Sequence, residues 1–170
     1  QRALETLTEH SRRLFNAGDA LLATRLLNDQ AAVYIRLGDP VRAAHLLTQS
    51  RELFESHVRN NPNDIMAAEE LAETDHLFAR LLLHAQRRPG REAEASALGL
   101  EHARAAERAY QRLGQRHKLA RVWETMGRLE LQRGQLQAAQ ERLTTALNLQ
   151  QQLGDVTGLA RSTAALADLC

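Results

Sequence analysis

Residues 115–153 read QRHKLARVWETMGRLELQRGQLQAAQERLTTALNLQQQL, and this stretch decides the fold. Leu119, Val122, Trp123, Met126 and Leu129 fall at three-to-four spacing, which predicts a helix over about 117–132. Arg133-Gly134-Gln135 breaks it, because glycine accepts the left-handed conformation in which helices end. Leu136, Ala139, Leu143 and Ala146 or Leu147 then mark one side of a second helix over about 136–153. Two helices joined by so short a turn form an αα-hairpin.

The same plan recurs on both sides. Gly18, Gly114 and Gly154 each close a helical run, Gly18 to Gly38 and Gly114 to Gly134 are both 20 residues, and Gly114 to Gly154 sets a period of 40. Such recurrence is the mark of a repeat array. A unit over 19–58 places Leu21–Leu37 before Gly38-Asp39-Pro40 and a second helix over about 41–58, with proline suited to a first turn where its missing N–H costs nothing. The middle unit, 62–113, is longer and irregular. The turn Asn60-Asn61-Pro62-Asn63-Asp64 supplies a cap, a long helix extends to about Gln86, Arg87-Arg88-Pro89-Gly90 ends it, and a helix over about 91–113 returns. Residues 1–17 fit as the second helix of a unit whose first is cut away, and 155–170 as the first helix of another, so the expectation is eight helices in one array fragment.

Composition agrees. Of 170 residues 44% are hydrophobic but only 4% aromatic, so the apolar content rests on Leu and Ala, which favour helices over strands. Lys plus Arg is 22 against 21 for Asp plus Glu, a net charge of +1 that argues for neither nucleic acid nor an anionic membrane as partner. No run approaches the length of a membrane-spanning helix. The single cysteine, Cys170, excludes an intrachain disulfide.

At Trp123-Glu124-Thr125-Met126-Gly127 the chain resembles the tetratricopeptide repeat, with Gly134 at the turn and Ala139, Leu143 and Ala146 at the later small, large, small positions. Ala31, Tyr34, Gly38, Ala43 and Leu47 fit the pattern in the unit before, as do Leu71, Ala72, Gly99, Ala103 and Ala106 in the middle unit, and Leu166 and Ala167 begin a fourth. The chain departs from it with Glu130 where an aromatic is usual, Gln151 where a proline is usual, and the stretched middle unit. The 40-residue period is similar to the longer variant of kinesin light chains, polarity adaptors and bacterial regulatory ATPases. Asp29, Glu70, Thr125 and Ala165 stand where several of those carry a peptide-reading asparagine ladder, so that ladder is absent. The resemblance implies an all-α fold, a right-handed α-α superhelix of antiparallel helix pairs, and a close-packed pair Gly127 and Ala139 with Trp123 and Leu143 beside them.

In this family the first helices line the concave face, which makes Arg25, Asn28, Asp29 and Arg36, then Glu69, Glu73 and His76, then Arg121, Glu124 and Arg128, then Arg161 the candidate partner-binding residues. Arg25, Arg121 and Arg161 occupy equivalent positions, and aligned guanidiniums suit the carboxylates of an acidic peptide or patch. The competing reading pairs them with Glu69, Glu73, Glu124 and Asp168 on neighbouring helices as a solvated charge mosaic.

Glu73-x-x-His76 has the spacing of di-iron bundles, but no second copy exists, so no metal is expected. No serine has a glycine-framed elbow and no glycine-rich phosphate loop occurs, so neither catalysis nor a cofactor is expected. Arg87-Arg88-Pro89-Gly90-Arg91 is basic yet lacks an aromatic for base stacking. The expected function is a non-enzymatic, cytoplasmic protein-interaction scaffold that holds a peptide or partner segment in its groove. The alternative is a sensor or regulatory segment of a larger signalling ATPase, kinase or transcription regulator, whose partners are neighbouring domains of the same chain.

Overall fold

The computed structural model describes residues 2–16, 19–84 and 92–169. Gly18, the loop from Arg87 to Arg91 and Cys170 lie outside them. Among the described residues there are eight helices and no strand: α1 (Arg2–Asn16), α2 (Ala20–Leu37), α3 (Pro40–Asn60), α4 (Ile65–His84), α5 (Glu92–Arg112), α6 (Arg116–Gln132), α7 (Leu136–Leu153) and α8 (Val156–Ala167).

The corners between helices are built by local chemistry. Gly38 has φ +73°, where a side chain would be strained; its N–H bonds the Ile35 carbonyl at 3.2 Å while Asp39 N–H reaches back to the Tyr34 carbonyl at 3.0 Å. Asp39 is at once the end of that motif and the cap of α3, accepting from Arg42 N–H at 3.1 Å, with Pro40 in the first turn. The same backbone bonds recur at Gly114-Gln115, Gly134-Gln135 and Gly154-Asp155. Asp19, Asp64 and Asp155 cap α2, α4 and α8 through their side chains, whereas Gln115 and Gln135 make no side-chain cap bond. The last helix stops at Ala167, short of the chain end expected from periodicity. Asp168 follows, and an acidic side chain is disfavoured at the negative end of a helix.

Every helix packs on its neighbours in sequence; in addition α2 touches α4, α4 touches α6, and α6 touches α8, while among the described residues no such contact joins α1, α3, α5 and α7. The even-numbered helices therefore form a continuous inner row and the odd ones an outer row, the arrangement of an all-α helical-repeat superhelix. Two apolar clusters follow. One joins Ala31 and Ile35 of α2 and Ala43 and Leu47 of α3 to Leu77 and Leu81 of α4. The other joins Ala72, Ala79 and Leu83 of α4 to α5 and to Val122, Met126 and Leu129 of α6. Helix α4 thus serves both clusters from opposite sides.

Small residues set the spacing. A Cβ on Gly127 would lie 2.6 Å from Leu143 Cγ and 3.3 Å from the Ala139 carbonyl oxygen, so α7 lies against the α6 backbone there. Trp123 faces the other side, packing on the second cluster and donating its indole N–H to Glu107 of α5 at 2.6 Å.

Candidate functional site

The three inner helices α4, α6 and α8 line a half-open cavity of about 210 Å³. Helix α4 supplies His76, Arg80, Leu83 and His84; α6 supplies Arg121, Glu124, Thr125 and Arg128; α8 supplies Arg161. Four guanidiniums thus face one carboxylate. The i, i+4 and i, i+3 spacings of His76, Arg80 and Leu83, and of Arg121, Thr125 and Arg128, place each set on one face of its helix.

That carboxylate is already engaged. Glu124 is only 5% exposed, and its two oxygens lie 3.1 and 3.0 Å from Nε of Arg161. Arg80, Arg121 and Arg128 have no ion-pair or hydrogen-bond partner among the described residues. Burial, and then the neighbouring Arg121 guanidinium, press the pKa of Arg80 below its ordinary value. Burial, Arg128 and Arg80 likewise lower that of His84.

His76 forms the floor. It is 1% exposed, and its Nε2 lies 3.0 Å from the Thr125 hydroxyl oxygen. That hydroxyl lies 3.0 Å from the Arg121 carbonyl, to which it donates, so it can only accept from His76. The imidazole is accordingly the Nε2–H tautomer, and its Nδ1 is a buried acceptor without a partner. Burial, reinforced by Arg121 and Arg80 against the pull of Glu73, lowers its pKa to about 3, so the ring is neutral near pH 7.

The other residues expected on this face are placed as follows. Arg25 reaches across to Glu70 of α4, with Nε 3.2 Å from Oε1. Asn28 is 2% exposed and lies within the seam rather than on the face: its Oδ1 accepts from Ser50 at 2.8 Å and Thr74 at 3.0 Å, and its Nδ2 donates to the Glu70 carbonyl at 3.3 Å. It ties α2, α3 and α4 together. Asp29 is near Arg25, yet desolvation holds its carboxyl above the ordinary range. Arg36 is exposed in the last turn of α2, away from the cavity.

Glu69 and Glu73 turn toward α5 and α6. Lys118 Nζ lies 2.9 Å from Glu69 and 3.6 Å from Glu73, Gln115 donates to Glu69 at 3.2 Å, and the Tyr110 hydroxyl donates to Glu73 at 2.9 Å. Glu73 and His76 are thus bound to different partners. Among the described residues no group of three or more His, Cys, Asp or Glu side chains is placed to hold a metal ion.

Arg161 thus pairs with Glu124, a partner the charge-mosaic reading named, and Arg25 pairs with Glu70, which it did not name; among the described residues Arg121 and Arg128 make no close ion pair and lie beside a residue outside the expected set, Arg80. Its signal was present: it lies four residues after His76 and seven after Glu73, on the same helical face. No helix among the described residues is long and apolar enough to cross a membrane. No protein-family model matches the chain, and no curated protein matches it.

Proposed function

We propose that the protein is a non-enzymatic binding scaffold of the tetratricopeptide type, whose inner face takes an acidic segment of a partner protein. The observation that carries this reading is the trio Arg80, Arg121 and Arg128, half-buried around one cavity and, among the described residues, without a close ion pair, although Glu73 acts on Arg80 and Arg121 from a distance. Half-buried guanidiniums gain most from bidentate carboxylate or phosphate partners, and a cluster of them is a recurring way of reading acidic motifs. At about 210 Å³ the cavity suits the head group of a side chain rather than a cofactor or drug-sized molecule. The acidic half of α4, Glu69 and Glu73, is occupied by Lys118 and Tyr110, which leaves the basic end of the inner row to face the ligand.

Fluorescence anisotropy with a labelled hexaglutamate peptide tests the reading. Saturable, salt-sensitive binding that Arg121→Glu abolishes is expected. Equal binding by wild type and variant contradicts it.

A further inference from the structure

Resting on the reading of the inner face as a binding groove, we infer that α8 is a latch on that groove: a carboxylate in the cavity draws α8 onto α6 through Arg161, and with the cavity empty α8 opens readily. The seat beneath α8, the charges across the cavity and the free donors of Arg161 lead there.

The seat is poorly satisfied. Among the described residues α8 packs on α6 and α7 alone, and the pair of Arg161 and Glu124 is the one hydrogen bond or ion pair joining an α8 side chain to another helix. Under α8, Gln150 of α7 is fully buried with both polar atoms of its amide unpartnered. That amide is pressed on the α8 backbone, since a Cβ on Gly158 would lie 2.8 Å from its carbon. Ser162, one turn on from Gly158 along the same face, is equally buried, and its hydroxyl oxygen has no partner either. The seam of α2, α3 and α4 shows the contrast: its buried Ser50 hydroxyl donates to Asn28 at 2.8 Å and lies 3.2 Å from Thr74 Oγ1. Buried polar groups without partners cost free energy that water returns when it reaches them. Opening of α8 admits that water, so the open state gains what the seated one lacks.

The charges depend on what the cavity holds. Arg161 faces Arg80, Arg121 and Arg128 across it, and Arg161 and Arg80 act on each other as like charges, an effect that Glu73 and Glu124 oppose. Glu124 thus holds α8 in while Arg80 presses it out. Arg161 grips Glu124 through Nε alone, and among the described residues its Nη groups make no hydrogen bond. A ligand carboxylate between the walls takes those donors and attracts both sides. It therefore binds the seated state better than the open one, which is what a ligand needs in order to shift such an equilibrium.

Hydrogen exchange of the folded chain, read by mass spectrometry with and without saturating hexaglutamate, tests the inference, with anisotropy reporting occupancy. The amides of α8 are expected to exchange about tenfold more slowly when hexaglutamate is bound, while those of α3 keep their rates. In the free protein, Gln150→Leu and Ser162→Ala should each slow α8 about fivefold by removing unpartnered polar atoms, and Gln150→Leu does so without altering α8 itself. Arg161→Gln, at saturation, should lose the slowing by hexaglutamate. Bound hexaglutamate that leaves α8 unchanged overturns the latch while the groove reading stands; no binding by the wild type overturns both. Slowing that persists in Arg161→Gln overturns the role given to that side chain. Unchanged or faster exchange of α8 in both seam variants overturns the weak seat.

Discussion

Arg161 of α8 holds Glu124 of α6 through a single nitrogen, Nε standing 3.0 and 3.1 Å from the two carboxylate oxygens. The pair spans two successive inner helices, as Arg25 and Glu70 do at the other end of the row. It also places the one carboxylate among the described residues of the cavity wall where it opposes an anionic ligand. Glu124→Gln is therefore expected to tighten binding of an acidic peptide roughly fivefold, about 1 kcal/mol for a like charge removed at partly screened range. Because the Arg161 side chain is 41% exposed and can return to water, the melting temperature should change little. Anisotropy titration of the variant, beside a thermal melt, checks both statements.

The contact of Leu143 with Gly127 carries a second expectation. A methyl group on Gly127 would overlap Leu143 Cγ, and the neighbouring Ala139 carbonyl leaves it no other direction. Gly127→Ala should cost about 1–3 kcal/mol by overpacking, a fall in melting temperature of roughly 3–10 °C for a chain this long. Adding Leu143→Ala should cost less in that background than in wild type, since the two side chains compete for one space. Additive losses in a double-mutant cycle would remove the contact from the account.

Corner chemistry supplies a stabilising change. Gln135 has cap dihedrals of φ −83° and ψ 65°, close to those of Asp155 at φ −79° and ψ 83°, but makes no side-chain cap bond. Gln135→Asp should supply the missing acceptor for the first turn of α7 and add about 1 kcal/mol, or roughly 2–4 °C. Asp39→Ala should lose a similar amount at α3, where the cap bond exists. Differential scanning calorimetry reads both.

His76 sets the acid side of the stability profile. Its folded-state pKa is about 3, below the unfolded value of about 6.5, so the unfolded chain binds a proton first as pH falls. The stability of the neutral buried ring is thus fully present above about pH 6.5 and is lost down toward pH 3, at up to about 1.4 kcal/mol per pH unit. Asp29, Glu70 and Glu130 act in the opposite sense, because their carboxyls are raised by desolvation and favour the folded state as they protonate. Urea titrations from pH 7 to pH 5 should show a decline in wild type that is flatter in His76→Gln. Parallel profiles would assign the acid limb to other groups.

Much of the fold was legible because its determinants are local. Gly38-Asp39, Gly114-Gln115, Gly134-Gln135 and Gly154-Asp155 each carry, within two residues, both the end of one helix and the start of the next. Apolar spacing supplied the helices between. The site was legible only in part. Register aligned Arg25, Arg121 and Arg161, yet which of them would be paired depends on Glu70 and Glu124 reaching from an adjacent helix, and that is set by helix rotation. Asn28 and His76 have the register of surface positions but are covered by the contacts of α2 with α4 and α4 with α6, a burial that needs the third dimension. Arg80 lay beyond the part of α4 that the shorter repeat pattern covers, although its helical face was already marked by Glu73 and His76.

The most direct test of the central claim is to follow the arginine Nε–H resonances of the folded protein while hexaglutamate is added. If the inner cavity is the binding site, the signals of Arg80, Arg121 and Arg128 shift together and saturate together, while those of the exposed Arg36 and the outer-row Arg142 stay fixed. Shifts spread evenly over the surface arginines, or confined to sites away from α4 and α6, would contradict the account.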